Sequence, residues 1–156
     1  MSFATTELED FTLVHVATRG DSDAAAAALS AALGVPVAAN PGSASDREDG
    51  LTVLWAGPGR WLVRAPVPGF RVDAIDGCVA TDLTDSRRVF RLSGSAAALF
   101  LSAACPLDLR QRAMPAGSSA LSHFDRFPIL LHRRGGAEFD LYVERSYAPA
   151  LGLTGA

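Results

Sequence analysis

The order in which apolar runs and breaker clusters follow one another most constrains the fold, because the same order occurs twice along the chain. In the first half, a run rich in β-branched and aromatic residues predicts a strand, and an alanine-rich run that ends at Gly34 predicts a helix. Two further apolar runs flank the Gly/Pro cluster at residues 56–60 and predict a β-hairpin. The strands predicted for this half are residues 11–17, 35–38, 51–55 and 61–65, and the helices are residues 24–33 and 70–75.

The second half again places a helix between a strand and further strands. The helix predicted over residues 96–104 stops before Pro106, because proline cannot continue a helix. Gly135 and Gly136 predict the turn between the last two strands. The strands predicted for this half are residues 78–84, 88–93, 118–124, 128–133 and 138–144, followed by a helical turn at 147–151 and a frayed end at 152–156.

The fold class follows from the small number of helices. Helices alternate with strands too rarely for a doubly wound parallel sheet. We therefore predict an α+β fold with mixed or antiparallel sheets. The two similar halves are residues 1–70 and 77–156, either as two domains or as one compact unit. A chain of 156 residues is long enough to bury a core that needs no disulfide.

Composition and charge exclude several classes of protein. Fourteen basic and seventeen acidic residues leave a net charge of −3, which is opposite in sign to the surface that nucleic-acid binding needs. No apolar run approaches the roughly 18 residues of a membrane-spanning helix. Residues 1–7 show neither the positive region nor the apolar stretch of a signal peptide, so we expect a cytoplasmic protein.

The basic residues are all arginines, which restricts the chemistry open to the chain. Without lysine, the sequence offers neither a Schiff-base amine nor a phosphate-loop lysine. Cys105 is a candidate nucleophile, but it lies at the predicted C-terminus of a helix, where the helix dipole disfavours a thiolate. Cys78 opens a predicted strand, so we interpret both cysteines as buried free thiols.

The three histidines, His15, His123 and His132, lie on predicted strands and lack the close spacing of a zinc site. His123 and His132 are on neighbouring strands, and a metal ion there would need Asp125 or Asp140 as a third ligand. We favour structural roles for these histidines. The sequence predicts no catalytic, cofactor-binding or metal-binding residue.

Pairs of arginines lie beside acidic residues in two places, Arg87 with Arg88 and Arg133 with Arg134. We interpret these clusters as solvated strand ends, with interface arginines as the alternative, because arginine is enriched at contact surfaces. Two tryptophans near the tip of the predicted hairpin are further candidates for contact with a partner. The candidate partner interface is Trp55, Arg60, Trp61, Arg87 and Arg88.

Three segments, taken in order, resemble the gamma subunit of heterotetrameric sarcosine oxidase. The first is the hairpin Leu-Trp-Ala-Gly-Pro-Gly-Arg-Trp-Leu-Val at residues 54–63. The second begins with Thr-Asp-Leu-Thr-Asp-Ser-Arg-Arg at residues 81–88 and continues through a helix to Cys-Pro-Leu-Asp-Leu at 105–109. The third is Phe-Asp-Leu-Tyr-Val-Glu-Arg-Ser-Tyr at 139–147. The second and third are also similar to a shortened form of the folate-binding fold of glycine-cleavage aminomethyltransferases.

The resemblance implies a non-catalytic structural gamma subunit within a heterotetrameric flavoenzyme. Such a complex oxidatively demethylates sarcosine, or a related N-methyl amine, to glycine. Tetrahydrofolate accepts the one-carbon unit, and hydrogen peroxide is a product. The resemblance further implies that the alpha and beta subunits carry FAD, FMN, NAD and the folate site and that delta carries zinc. Gamma carries no cofactor and packs against alpha most directly.

Two other functions remain open at this point. The aminomethyltransferase-like second half suits a stand-alone protein that binds folate or a folate-like ligand. A weaker alternative is a small hydrolase with Cys105 as its nucleophile.

Overall fold

The computed structural model describes residues 1–153, and these form ten β-strands and two α-helices. The strands are β1 Ala4–Glu7, β2 Thr12–Thr18, β3 Ala44–Asp46, β4 Thr52–Gly57, β5 Arg60–Ala65, β6 Cys78–Asp82, β7 Arg87–Ser93, β8 Ser118–Phe124, β9 Phe127–Gly135 and β10 Glu138–Glu144. The helices are α1 Ser22–Leu33 and α2 Ala97–Ser102, with short 3-10 helices at Thr84–Ser86 and Ala148–Leu151. None of the helices in this described range is long and apolar enough to span a bilayer.

The strands build two five-stranded sheets, one in each of two compact units. The unit called N here is residues 10–84, and its sheet has the strand order β3-β4-β5-β2-β6. The unit called C is residues 1–9 together with residues 85 onward, and its sheet has the order β1-β7-β10-β9-β8. The strand pairings in both sheets are antiparallel. The predicted α+β class with few helices is confirmed.

Both units have the same topology, and each sheet gains one additional edge strand. Unit N runs β2-α1-β3-β4-β5 and unit C runs β7-α2-β8-β9-β10, and in each the last strand pairs with the first. A further strand completes each sheet beside its first strand, β6 beside β2 and β1 beside β7. Since β1 directly precedes β2 in the chain and β6 directly precedes β7, each sheet takes its edge strand from the sequence that leads into the other unit.

Helix α1 begins at a side-chain cap and ends at a glycine. The Asp21 carboxylate accepts hydrogen bonds from the backbone N–H groups of Asp23 at 2.8 Å and Ala24 at 3.2 Å, which satisfies donors that the first turn leaves free. Gly34 is left-handed with a φ of 66°, and its N–H donates to the carbonyl of Ser30. The core of unit N joins the inner face of this helix to its sheet, and it includes Leu29, Leu33, Val14, Val16, Val53, Trp61 and Val63.

The core of unit C lies between its sheet, α2 and the segments that flank them. The fully buried side chains of this core include Phe90, Leu92, Leu101, Phe139 and Leu141. Phe100 of α2 stacks on Phe3 with ring centroids 4.6 Å apart, so the residue before β1 packs against the helix that follows β7.

A glycine lets the N-terminal segment approach β7. Gly94 has a φ of 122°, and a Cβ atom at this position would lie 2.5 Å from the carbonyl oxygen of Ser2 and 2.8 Å from the Cα of Phe3. The Ser2 carbonyl accepts a hydrogen bond from the N–H of Ala96 at 3.0 Å. The position therefore requires glycine on two counts, the left-handed backbone and the close approach of another segment.

Most predicted elements are confirmed, with bounds that shift by at most two residues. The predicted strand at residues 35–38 is wrong. Ser30 Oγ accepts a hydrogen bond from the Val37 N–H at 2.8 Å, and the Ala38 carbonyl accepts one from Trp61, so these backbone groups bond to side chains. Pro36 also lacks the N–H that a strand ladder uses.

The predicted helix at residues 70–75 is also wrong. The Phe70 N–H donates to Thr12 Oγ1 at 3.2 Å, and the Ile75 carbonyl accepts from the N–H of Cys78 in a turn. The segment has no regular secondary structure, and its side chains Phe70, Val72 and Ile75 pack against the core of unit N.

The sequence predicts a division between the two halves at residues 70–77, and the two units of the structure divide elsewhere. The observed divisions fall at residues 9–10 and 84–85. Pairing explains the difference, because β6 stays with β2 and β1 joins β7. Of the predicted frayed end at 152–156, residues 154–156 lie outside the described part of the chain.

We expect Gly94→Ala to lower the free energy of unfolding by about 2 kcal/mol, because its Cβ strains a left-handed backbone and meets Ser2 and Phe3. Gly136→Ala is the matched control, since an added Cβ there meets nothing within 4 Å. Urea unfolding followed by circular dichroism measures both. Equal unfolding midpoints for the two variants would contradict the close approach at Gly94.

Candidate functional site

The β4–β5 hairpin carries three of the five predicted interface residues. Trp61 is 1% exposed, and its indole N–H donates to the carbonyl of Ala38 at 3.0 Å. It is therefore a core residue of unit N, and it presents no face to a partner. Trp55 pairs with Trp61 across the hairpin and is half-buried, whereas Arg60 is exposed at the start of β5.

The Gly-Pro-Gly-Arg turn of this hairpin is shaped by close contacts. Gly57 has a φ of 133°, and a Cβ there would lie 2.8 Å from Nη2 of Arg60, so the guanidinium rests against the glycine. A Cβ at Gly59 would lie 3.1 Å from the carbonyl oxygen of Thr18, whose own N–H donates to the Gly59 carbonyl at 2.9 Å. The turn therefore fixes Arg60 against the end of the hairpin.

The other two predicted interface residues, Arg87 and Arg88, differ in their hydrogen-bond partners. Arg88 forms a bidentate ion pair with Glu7 of β1, at 2.6 Å and 2.7 Å, which holds the pKa of Glu7 below its usual value. Arg88 thereby fastens β1 to β7. Arg87 donates to the backbone carbonyl of Ser86 at 3.3 Å and to its Oγ at 3.1 Å.

A row of polar side chains crosses the sheet of unit C. Strand register places Arg91, Asp140, His132 and Ser119 side by side on β7, β10, β9 and β8. Asp140 is fully buried and accepts from Nε of Arg91 at 2.8 Å and from Nη2 at 3.0 Å, with Nη1 of Arg134 at 3.6 Å. These hydrogen bonds raise the pKa of Arg91. Asp140 is thus a buried, paired carboxylate.

The order Ser119, His132, Asp140 is that of a serine hydrolase triad, but the burial differs. The three side chains are 4%, 0% and 0% exposed, and both oxygens of Asp140 accept from Arg91. A nucleophile must be open to its substrate. The burial of Ser119 therefore leaves no access for an acyl substrate, and the Arg91–Asp140 pair joins β7 to β10.

The histidines do not come together as a metal site. On β8, His123 lies four residues from Ser119, and Ser119 pairs with His132 on β9. Four residues of a strand span about 13 Å, which separates His123 from His132. His15 is half-buried on β2. Across residues 1–153, no three side chains among histidine, cysteine, aspartate and glutamate converge as metal ligands.

Arg133 is buried. The interpretation of this residue as part of a solvated strand end is therefore wrong. It is 5% exposed, and its guanidinium donates to four backbone carbonyls. The acceptors are Leu109 at 2.6 Å, Met114 at 3.0 Å, Gly135 at 3.2 Å and Gly136 at 2.6 Å. Arg133 therefore fastens the irregular segment between α2 and β8 to the turn between β9 and β10.

Cys105 lies in the core at the end of α2. It is 4% exposed, and its Sγ–H donates to Oγ of Ser122 at 3.5 Å. Its backbone N–H donates to the carbonyl of Leu101 at 2.8 Å. A reactive thiol sits beside a cation or a helix N-terminus and is accessible, and this thiol is neither exposed nor at an N-terminus.

Comparison with known proteins relates the chain to subunits of one enzyme. No model of a known protein family matches the sequence. Sarcosine oxidase subunit gamma from Corynebacterium sp. (strain U-96) is 32% identical over 127 residues, which cover 78% of this chain and 62% of that protein. Sarcosine oxidase subunit gamma from Arthrobacter sp. is 37% identical over 115 residues, which cover 70% and 57%.

Similarity of structure extends further along the chain than similarity of sequence. A chain of heterotetrameric sarcosine oxidase from Corynebacterium sp. U-96, in complex with pyrrole 2-carboxylate, matches with a TM-score of 0.83 and 28% identity, over 94% of this chain and 78% of that one. The chain is a homologue of sarcosine oxidase subunit gamma. The resemblance seen in the sequence is thereby confirmed. This gamma homologue spans about 60% of the length of the curated subunits that it matches.

A second solved structure shares the fold. Aminomethyltransferase T of the glycine cleavage system from Bartonella henselae matches with a TM-score of 0.67 and 19% identity, over 98% of this chain and 45% of that one. The predicted likeness to a shortened aminomethyltransferase-like fold is confirmed.

We expect Arg133→Met to lower the free energy of unfolding by about 3 kcal/mol, because it leaves four carbonyl acceptors without their donor. Arg112→Met is the control, since Arg112 is exposed in the segment that Arg133 holds. Thermal unfolding and limited proteolysis between α2 and β8 measure the effect. Equal stability and equal cleavage in the two variants would show that the bonds contribute nothing.

Proposed function

We propose that this gamma homologue is a structural, non-catalytic subunit of a sarcosine-oxidase-type heterotetramer. The complex oxidatively demethylates sarcosine, or a related N-methyl amine, to glycine, with tetrahydrofolate as one-carbon acceptor and hydrogen peroxide as product. The observation that carries the proposal is the likeness to gamma subunits in both sequence and fold, which extends over 94% of the chain in the structural match.

The roles of the polar groups support a structural subunit. Asp140 is neutralised by Arg91, Arg133 holds backbone carbonyls, and Cys105 is buried against Ser122. Each of these three groups is thus engaged in contacts within the fold. Such commitments suit a chain that acts through its shape and its contacts.

The partners and cofactors follow from the family in this proposal. FAD, FMN, NAD and zinc are held by the other subunits, and alpha is the most direct partner, with beta and delta in the same cytoplasmic complex. Among the predicted interface residues, exposed Arg60 and half-buried Trp55 and Arg87 are the candidates that we retain. Arg88 is held by Glu7 and Trp61 by the core. A permanent interface of this kind buries about 2,000 Å² or more, so it extends beyond these side chains.

Co-expression tests the proposed assembly. We expect a tagged form of this chain to co-purify with the alpha, beta and delta subunits and to elute with them in one gel-filtration peak. A chain that elutes apart from all three subunits would contradict the proposal. Titration calorimetry of the chain alone with tetrahydrofolate addresses the alternative, and micromolar binding would favour a stand-alone folate-binding protein.

A further inference from the structure

Strand β6 gives the sheet of unit N an unprotected edge. It pairs with β2 on one side and ends the strand order, so its other edge has no neighbouring strand within the sheet. Its residues from Val79 to Asp82 are all exposed, and Val79 is 69% exposed. Edge strands are usually blunted by charged residues, proline or a bulge, whereas β6 contains no proline, pairs in regular register and carries a charge only at its last residue, Asp82.

An apolar cavity of about 380 Å³ lies beside this edge. It is lined by Val16 of β2, by Cys78, Val79 and Ala80 of β6, and by the irregular segment that precedes β6, including Val72 and Ile75. The volume is within the range of pockets that take a bulky side chain or a small ligand. An extended chain laid along β6 would direct alternate side chains to the two faces of the sheet. The side chains at every second position of the added strand would therefore lie on the cavity side.

The opposite face of the sheet continues to a residue that the sequence analysis assigns to the interface. Strand register places Val79, Ala17 and Arg60 side by side on β6, β2 and β5. Val79 and Arg60 are exposed and Ala17 is half-buried. The second set of side chains of an added strand would therefore lie beside Val79, on the face that bears Arg60.

The acidic side chains near the β6 edge favour a binding segment that carries positive charge. Asp73 lines the cavity, Asp76 lies in the same segment, and Asp82 ends the strand, and all three are exposed. Hydrogen bonds from Thr84 to the Asp82 carboxylate lower its pKa, so this group is ionised at neutral pH. Arg71 is the basic residue within positions 66–84, which leaves the region with an acidic balance. An occupant with arginine or lysine beside its apolar residues complements it.

We propose that β6 is the docking edge for an extended segment of a larger subunit of the complex. This segment is apolar at alternate positions and carries basic residues. It adds a strand to the sheet through backbone hydrogen bonds and places one apolar side chain in the cavity. The inference rests on the proposed function, which supplies the larger subunits. A second copy of this chain is a poorer occupant, because pairing β6 with itself brings two sets of the same aspartates together.

The first test compares two exposed apolar residues on edge strands. Val79→Asp adds a charge to the proposed docking edge, and Leu121→Asp makes the same change on β8, where Leu121 is 49% exposed. We expect Val79→Asp to weaken binding of the full-length chain to the co-expressed subunits at least about tenfold, and Leu121→Asp to leave it within about twofold. Circular dichroism confirms that both variants are folded.

The outcomes separate this inference from the proposed function. If the unaltered chain fails to bind the larger subunits, the proposed function fails and this inference with it. If the unaltered chain binds and Val79→Asp binds equally well, the docking edge alone is wrong. The double variant Asp73→Asn with Asp76→Asn tests the charges, and we expect its association to slow by about threefold or more.

Hydrogen exchange gives a readout that needs no substitution. We expect backbone amides of β6 to exchange at least about tenfold more slowly in the assembled complex than in the full-length chain alone, because an added strand bonds them. Protection of β8 without protection of β6 would overturn the inference. Protection of β6 that grows with the concentration of the chain alone would show pairing between two copies, which also overturns it.

Discussion

The pairing of β1 with β7 and of β6 with β2 is the constraint on which the rest of the structure depends. Each sheet receives an edge strand from the part of the sequence that leads into the other unit. The Glu7–Arg88 ion pair and the close approach at Gly94 hold β1 in its place. Residues 1–9 are therefore a structural strand of unit C, and loss of them would open the β7 edge of that sheet.

Buried polar groups reinforce this frame in unit C. Asp140 is buried on the central strand of its sheet with the Arg91 guanidinium across both oxygens, and Arg133 gathers carbonyls from two separate segments. Removing one member of such a set leaves buried polar atoms with fewer partners, which lowers the stability of the fold. In unit N, an open sheet edge and an apolar cavity beside it face outward. These properties suit the proposed role of a chain that works by contact with larger subunits.

Local patterns predicted most strands and both helices, because alternation, caps and breakers act over a few residues. The strand predicted at residues 35–38 does not form, because the Ser30 side chain bonds to the backbone of this segment. Strand β1, Ala-Thr-Thr-Glu, is too short and polar to show a periodic signal, and β7 determines its pairing. Asp140 within an apolar run was a usable sign of a buried ion pair. Arg133 carried no comparable sign, because two of its four acceptors, the carbonyls of Leu109 and Met114, are distant in sequence.

Native mass spectrometry of the co-expressed complex tests most directly whether this chain acts through buried contact and holds no reactive centre. We predict one copy of the chain in each complex, released on dissociation at its bare mass of 16.3 kDa, with flavin and zinc retained by the other subunits. A released chain that carries the added mass of a flavin or a metal ion would contradict this prediction, as would its absence from the assembled complex.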